Sequence, residues 1–150
     1  MVYNFKRALG ISVVLYLCTF VVGVIALVAS GVDMSATDVE MPNSTWYVGM
    51  VSAVILTSLF TLWYFGNKAI IPSAKSGLFF GLTSVLFGFV LDMIFFGLGS
   101  ASGVETELGD YYGDHRYWIT LVLVVLTAML VGIIRSPKAS EPTAPTMTAS

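Results

Sequence analysis

Charged side chains are scarce in this sequence. Only 11% of its 150 residues are Asp, Glu, Lys or Arg, whereas 57% are hydrophobic. Soluble domains carry about 25% charged residues, so this composition excludes an ordinary soluble protein and predicts a membrane protein. The sequence also lacks the basic stripe with which many proteins bind nucleic acids, so no nucleic-acid partner is expected.

Cysteine and histidine are almost absent, with Cys18 and His115 the only examples. A single cysteine excludes an intrachain disulfide, a CxxC redox pair and an all-cysteine metal site. A single histidine excludes a bis-histidine haem. The sequence has no glycine-rich phosphate loop, nucleophile elbow, HExxH motif or paired-aspartate arrangement. We therefore expect neither an enzyme nor a cofactor.

Long apolar runs are what the sequence has in abundance. Four of them are long enough to cross a hydrocarbon core at 1.5 Å per residue, and they cover residues 8–29, 46–66, 77–98 and 117–134. Trp46-Tyr47 and Trp63-Tyr64 flank the second run, where the aromatic belts of a membrane span belong. The prediction is an all-α polytopic membrane protein, a four-transmembrane-helix up-down bundle that occupies residues 1–135.

Lysine and arginine fall almost entirely on one side of these four runs. A four-span topology places six of them on one face, namely Lys6, Arg7, Lys68, Lys75, Arg135 and Lys138, and only Arg116 on the other. Positive residues mark the cytoplasmic face, so both termini are predicted to be cytoplasmic and both acidic loops external. Residues 136–150 lack apolar periodicity and are predicted to form a disordered cytoplasmic tail.

One carboxylate interrupts the third run, where Asp92 lies between Leu91 and Met93. A central Asp costs about 3 kcal/mol on insertion scales, but each Leu, Ile, Phe or Val returns about 0.3 to 0.6 kcal/mol, so the run still inserts. Ionisable groups at such depth tend to be functional and to find partners, which makes Asp92 the functional candidate. Its simpler role is a structural hydrogen bond to hydroxyls of adjacent helices, and the alternative is a proton or cation site.

Three side chains are the predicted neighbours of Asp92. Ser52 and Thr120 lie at a similar depth on antiparallel runs, and Arg116 is long enough to reach down from the outer edge. Each would supply a hydroxyl or a cation to the carboxylate.

Asp92 also shares a helix face with small residues, because residues three and four apart lie on one side of a helix. The stripe consists of Gly77, Gly81, Ser84 and Gly88. Small residues let helix backbones approach closely. We expect the stripe to pack within the bundle, and a homodimer through Gly77 and Gly81 is the less favoured alternative.

The second external loop is acidic, and its oxygen-bearing side chains are of the type that binds divalent cations. The weak metal candidates there are Glu107, Asp110, Asp114 and His115. Their spacing does not match the ligand order of an EF-hand loop. A solvated acidic loop is the favoured interpretation, and no metal is predicted.

A short pattern links the end of the third run to the start of the fourth. It consists of Leu91-Asp92, then Tyr111-Tyr112, then Tyr117-Trp118-Ile119. The pattern resembles small uncharacterised four-helix bacterial inner-membrane proteins, which implies a bacterial inner-membrane location. The small multidrug-resistance exporters have a similar size and span number, but they carry an essential acid in the first span, where residues 8–29 have none.

The expected function follows from these features together. We expect an accessory or structural membrane subunit without catalytic activity, whose partners are the lipid bilayer and other membrane proteins. The alternative is a small transporter or channel subunit that uses Asp92 as its proton or cation site.

Overall fold

The protein forms four helices in a computed structural model that describes residues 4–31, 42–101 and 112–137, with the backbone alone for residues 96–101. The helices in these segments are α1 (Phe5–Ala29), α2 (Asn43–Phe65), α3 (Ala74–Ala101) and α4 (His115–Ile134). Each is long and apolar enough to span a membrane, which confirms the all-helical class and the four candidate spans. Most of the two acidic loops and the predicted tail beyond residue 137 lie outside the described residues.

Each helix begins two or three residues before the apolar run that predicted it. At α1, α3 and α4 a polar side chain explains this extension, because it accepts a backbone N–H group that a first helical turn leaves without a partner. Pro42, which precedes α2, provides no such side-chain bond. The side chains of Asn4 and Ser73 accept from the N–H three residues later, at 3.0 and 3.1 Å. Asp114 accepts from the N–H two residues later at 2.8 Å. Hydropathy finds the apolar part of a helix, and these residues add its first turn.

The helices follow the order α1, α2, α4, α3 around the bundle, so α2 and α3 lie on a diagonal although they are consecutive in the sequence. The eight-residue connection 66–73 makes this arrangement feasible. A chain of that length reaches about 26 Å, well beyond a diagonal of about 13 Å for helices packed 8–10 Å apart. Helix directions nevertheless alternate, as expected for an up-down bundle.

Arg7 fastens the start of α1 to the end of α2. Its Nε donates to the carbonyl of Tyr64 at 3.2 Å, and its Nη2 donates to the carbonyl of Trp63 at 2.6 Å. The last carbonyls of a helix have no partner within the helix and attract cations. We call this side of the bundle, where α1 and α3 begin and α2 and α4 end, the Arg7 end.

The closest approach in the bundle is between α3 and α4. A Cβ at Gly77 would overlap the backbone of Ala128, and a Cβ at Gly132 would overlap the carbonyl of Ser73. A Cβ at Gly81 would come within 3.0 Å of the Val125 Cα. Gly77 and Gly81 therefore pack inside the chain against α4, so their surface is already occupied.

The buried centre of the bundle is small. Only 17–22% of the residues in each membrane-length window are buried. The core cluster consists of Ala8, Ile11, Tyr64, Ile70, Phe80 and Ala128. The rings of Tyr64 and Phe80 stack at its middle with centroids 4.9 Å apart. Many large apolar side chains on all four helices are consequently exposed.

Candidate functional site

Asp92 is held by tyrosines from two neighbouring helices. The hydroxyl of Tyr16 on α1 donates to Oδ1 at 2.6 Å, and the hydroxyl of Tyr117 on α4 donates to Oδ2 at 3.4 Å. The carboxylate is half-buried on α3, and Tyr117 is buried. Asp92 thereby joins three of the four helices. We call Asp92, Tyr16, Tyr117 and the adjacent Tyr112 the Asp92 cluster.

Tyr112, just before α4, completes the cluster. Its ring meets the ring of Tyr117 edge-on with centroids 5.1 Å apart and lies 5.6 Å from the ring of Phe89. Burial, and then the nearby negative charge of Asp92, raise the pKa of the Tyr112 hydroxyl above its ordinary value of 10. Tyr112 therefore remains protonated at neutral pH, and it adds no second negative charge to the cluster.

The Tyr16 ring is positioned by contacts with Phe95 and with the surface of α3 at Gly88. Phe95 stacks on it with centroids 6.0 Å apart, and Phe95 in turn stacks on Phe20 at 5.8 Å. A Cβ at Gly88 would lie 3.7 Å from Cδ2 of Tyr16, so the ring lies across α3 one turn before Asp92. Stacked aromatic rings of this kind restrict side-chain freedom, and the Tyr16 hydroxyl is held in place for its bond to Asp92.

A second polar contact joins α1 and α3 nearer the Arg7 end. The hydroxyls of Ser12 and Ser84 are 2.8 Å apart and buried. Ser12 donates its proton to the carbonyl of Ala8 at 2.8 Å, so Ser84 is the donor to Ser12. Ser84 and Asp92 are eight residues apart on α3, which is about 12 Å along the axis. The predicted stripe on α3 thus packs against two helices. Gly77 and Gly81 contact α4, whereas Ser84 and Gly88 face α1.

The predicted neighbours of Asp92 make other hydrogen bonds. Ser52 donates to the carbonyl of Gly49 at 2.9 Å, and Thr120 donates to the carbonyl of Arg116 at 2.8 Å. Ser52 lies on α2, which is diagonal to α3, so a matching depth does not bring it to the carboxylate. Within the described residues, none of the three predicted neighbours has a hydrogen bond to Asp92.

Depth in the membrane does not identify the tyrosine donors, because it does not show which helices touch. Tyr117 is the first residue of the fourth run and lies 25 residues after Asp92 in the sequence. Tyr16 is a lone phenol inside the first run, and a buried phenol usually seeks a hydrogen-bond partner. That isolated hydroxyl was the available signal in the sequence.

Arg116 instead joins the starts of α4 and α2. Its Nε lies 2.9 and 3.0 Å from the two Asp114 oxygens, and its Nη2 lies 2.6 Å from Oδ2. Its Nη1 donates to the side-chain oxygen of Asn43, and the guanidinium lies 5.0 Å from the ring centroid of Trp46. Hydrogen bonds from the Arg116 side chain and backbone lower the pKa of Asp114 from 3.8 to about 2.

The weak metal candidates are only partly within the described residues, because Glu107 and Asp110 lie outside them. Both oxygens of Asp114 are engaged by Arg116. The His115 ring is 81% exposed, with Nδ1 3.7 Å from Asp114. Among the residues that the structure describes, no group of three or more His, Cys, Asp or Glu side chains could hold a metal ion.

The chemistry available to the Asp92 cluster is hydrogen bonding between helices. The hydroxyls of Tyr16 and Tyr117 each donate to one oxygen of Asp92. Hydrogen bonds to a carboxylate are stronger than those between neutral groups. Comparisons with protein-family models, curated proteins and solved structures give no match.

Proposed function

We propose that this protein is a four-span membrane subunit with an accessory or structural role and no catalytic activity of its own. In this proposal both termini are cytoplasmic and the membrane is the bacterial inner membrane. The observation that carries the structural role is the Asp92 carboxylate, whose two oxygens accept hydrogen bonds from α1 and α4.

The outer surface of the bundle supports insertion into lipid. Large apolar side chains are exposed on all four helices, for example Val21 at 53%, Ile55 at 54%, Leu86 at 67% and Leu130 at 53%. Monomeric soluble proteins rarely expose a continuous apolar surface of this extent. In the hydrocarbon core of a membrane this apolar surface no longer meets water, and each helix satisfies its own backbone hydrogen bonds.

The donors around Asp92 support a structural role. A carboxylate in hydrocarbon is costly unless hydrogen bonds compensate for lost hydration. Tyr16 and Tyr117 supply that compensation from different helices, so the bonds form only when α1, α3 and α4 are assembled. Asp92 thus favours the assembled bundle over separated helices.

A transporter or channel that uses Asp92 is less well supported. Proton transfer requires polar groups at hydrogen-bond spacing, about 3 Å. In the described residues, the next buried polar pair on this face of α3 is Ser12 and Ser84, about 12 Å from Asp92 along the helix. The Tyr16 ring lies across Gly88 between them, which places carbon atoms in the intervening space.

Asp92→Asn and Tyr16→Phe in reconstituted liposomes test the structural role. Each should lower the free energy of unfolding by about 1–2 kcal/mol, the upper range for hydrogen bonds between membrane helices. The double variant should lose less than the sum, because both changes act on the same bond: Asp92→Asn weakens it by removing the acceptor's charge, and Tyr16→Phe removes its donor. Tyr117→Phe is the matched control and should cost less, since its bond is 3.4 Å rather than 2.6 Å.

The same liposomes separate the two functions. A structural subunit should carry no pH-dependent proton or cation flux, with or without Asp92. A flux in the native protein that Asp92→Asn abolishes, while the free energy of unfolding stays unchanged, would overturn the structural proposal and favour the transporter.

A further inference from the structure

The Arg7 end carries exposed cations in all four of its chain segments. Lys6 lies in the first turn of α1, Lys75 in the first turn of α3, Lys68 in the connection between α2 and α3, and Arg135 directly after α4. All four residues are exposed. No Asp or Glu lies at this end among the described residues, whose two acids, Asp92 and Asp114, lie toward the opposite end.

These four cations make no polar contact within the part of the chain that the structure describes. Arg7 differs from them, because its guanidinium binds the last carbonyls of α2. Lys6, Lys68, Lys75 and Arg135 have no side-chain hydrogen bond or ion pair with the residues that the structure describes. Their charges are available to a partner outside the chain.

Exposed apolar side chains lie beside these cations. Phe5 is 58% exposed at the start of α1, Trp63 is 52% exposed at the end of α2, and Ile71 is 61% exposed before α3. Tryptophan in particular prefers the boundary between hydrocarbon and headgroups. Lys and Arg beside such residues extend their charges to the headgroup level. Exposed apolar side chains close in sequence to exposed cations match a lipid surface better than an acidic soluble protein.

We propose that the Arg7 end binds the headgroups of anionic phospholipids through Lys6, Lys68, Lys75 and Arg135. This inference rests on the proposed insertion into a membrane and names the lipid class that surrounds one end of the bundle. Basic residues near an anionic leaflet are attracted to it electrostatically, and with no acid among the described residues of this end, little opposes the attraction.

Quenching of Trp63 fluorescence by brominated lipids tests this proposal. The full chain with Trp46→Phe and Trp118→Phe is reconstituted in vesicles of phosphatidylcholine and phosphatidylglycerol, with either lipid brominated. Trp63 should report a preference for phosphatidylglycerol of about fivefold or more at low salt, the effect of at least one basic side chain near the surface. The preference should fall in about 1 M salt, because screening shortens the reach of the charges.

Charge variants separate this site from general membrane binding. Replacing Lys6, Lys68, Lys75 and Arg135 together with Gln should reduce the preference to about onefold, whereas Lys→Arg at the three lysines should retain it. A chain that keeps only Trp118, at the opposite end, should report no preference. If the Trp63-only chain does not fold, the difference in quenching between the native chain and Trp63→Phe measures the same quantity.

The failures of the two proposals are distinguishable. If the chain inserts into vesicles of either lipid but Trp63 reports no preference, the lipid inference is overturned, and an acidic protein becomes the partner of these cations. A preference that survives the Gln substitutions would overturn it as well. If the chain inserts into neither lipid, the proposed membrane function fails and the inference fails with it.

Discussion

A carboxylate within an apolar helix is stable only when donors replace its lost water. Asp92 obtains them from Tyr16 and Tyr117, while Asp114, at the start of α4, obtains its donors from Arg116. The two carboxylates thus differ in the type of donor that binds them. Asp92 uses neutral phenols from other helices, and Asp114 uses a cation two residues away.

The carboxylate of Asp114 predicts a defined pH dependence. Its pKa is lowered from 3.8 to about 2 in the folded protein. Between these values the unfolded chain binds more protons, so stability should rise with pH across this window and be fully present above about pH 4. In melting curves at successive pH values, Asp114→Asn should lower Tm most above about pH 4 and very little near pH 2.

Asn is the appropriate replacement because it is as good an N-cap residue as Asp but carries no charge. The difference between the two melting series therefore isolates the pair with Arg116 from the other acids of the chain. A Tm difference that stays constant from pH 2 to pH 5 would contradict the assigned pairing.

At the scale of whole helices, the contact between α3 and α4 depends on missing side chains. Gly77, Gly81 and Gly132 each lie where a Cβ would meet backbone of the opposite segment. Backbone cannot move aside as a flexible side chain does. The spacing of Gly77 and Gly81 in the sequence predicted this close packing, although it did not show which helix packs against them.

Gly77→Ala should therefore be strongly unfavourable. The added methyl would overlap the backbone of Ala128, and overpacking of this kind costs about 1–3 kcal/mol or more. Gly10→Ala is the matched control, since it also lies within a helix but has no atom within 4 Å of the added Cβ. It should be neutral or stabilising by up to about 1 kcal/mol. Denaturation in mixed micelles measures both, and equal effects would show that Gly77 is not in close contact.

At the scale of the whole molecule, charge and topology agree. The described cations other than Arg116 lie at the Arg7 end, and the alternation of the helices places the start of α1 and the end of α4 on that side. The positive-inside rule then predicts that this side is cytoplasmic.

Cysteine labelling in intact cells tests this orientation. In a Cys18→Ser background, a membrane-impermeant maleimide should label His115→Cys and leave Lys68→Cys unlabelled until the cells are opened. Both parent side chains are exposed at opposite ends of the bundle, so neither replacement should disturb the fold. Labelling of both positions from the same side would contradict the four-span topology.

The amino-acid sequence by itself determined the helical class, the four apolar helices and the segregation of charge. These properties are local or additive along the chain, so hydropathy and the count of lysines and arginines suffice to read them. The side-chain caps of α1, α3 and α4 are local as well, since each depends on residues within one turn.

Only the tertiary structure decided which helices touch. The order α1, α2, α4, α3 places Ser52 across a diagonal from Asp92 and brings Tyr16 and Tyr117 to it instead. This order depends on packing between segments far apart in sequence, such as Gly77 on Ala128 and Arg7 on the end of α2. No periodicity within one helix encodes such contacts, because a helix face shows what it can bury but not which neighbour will cover it.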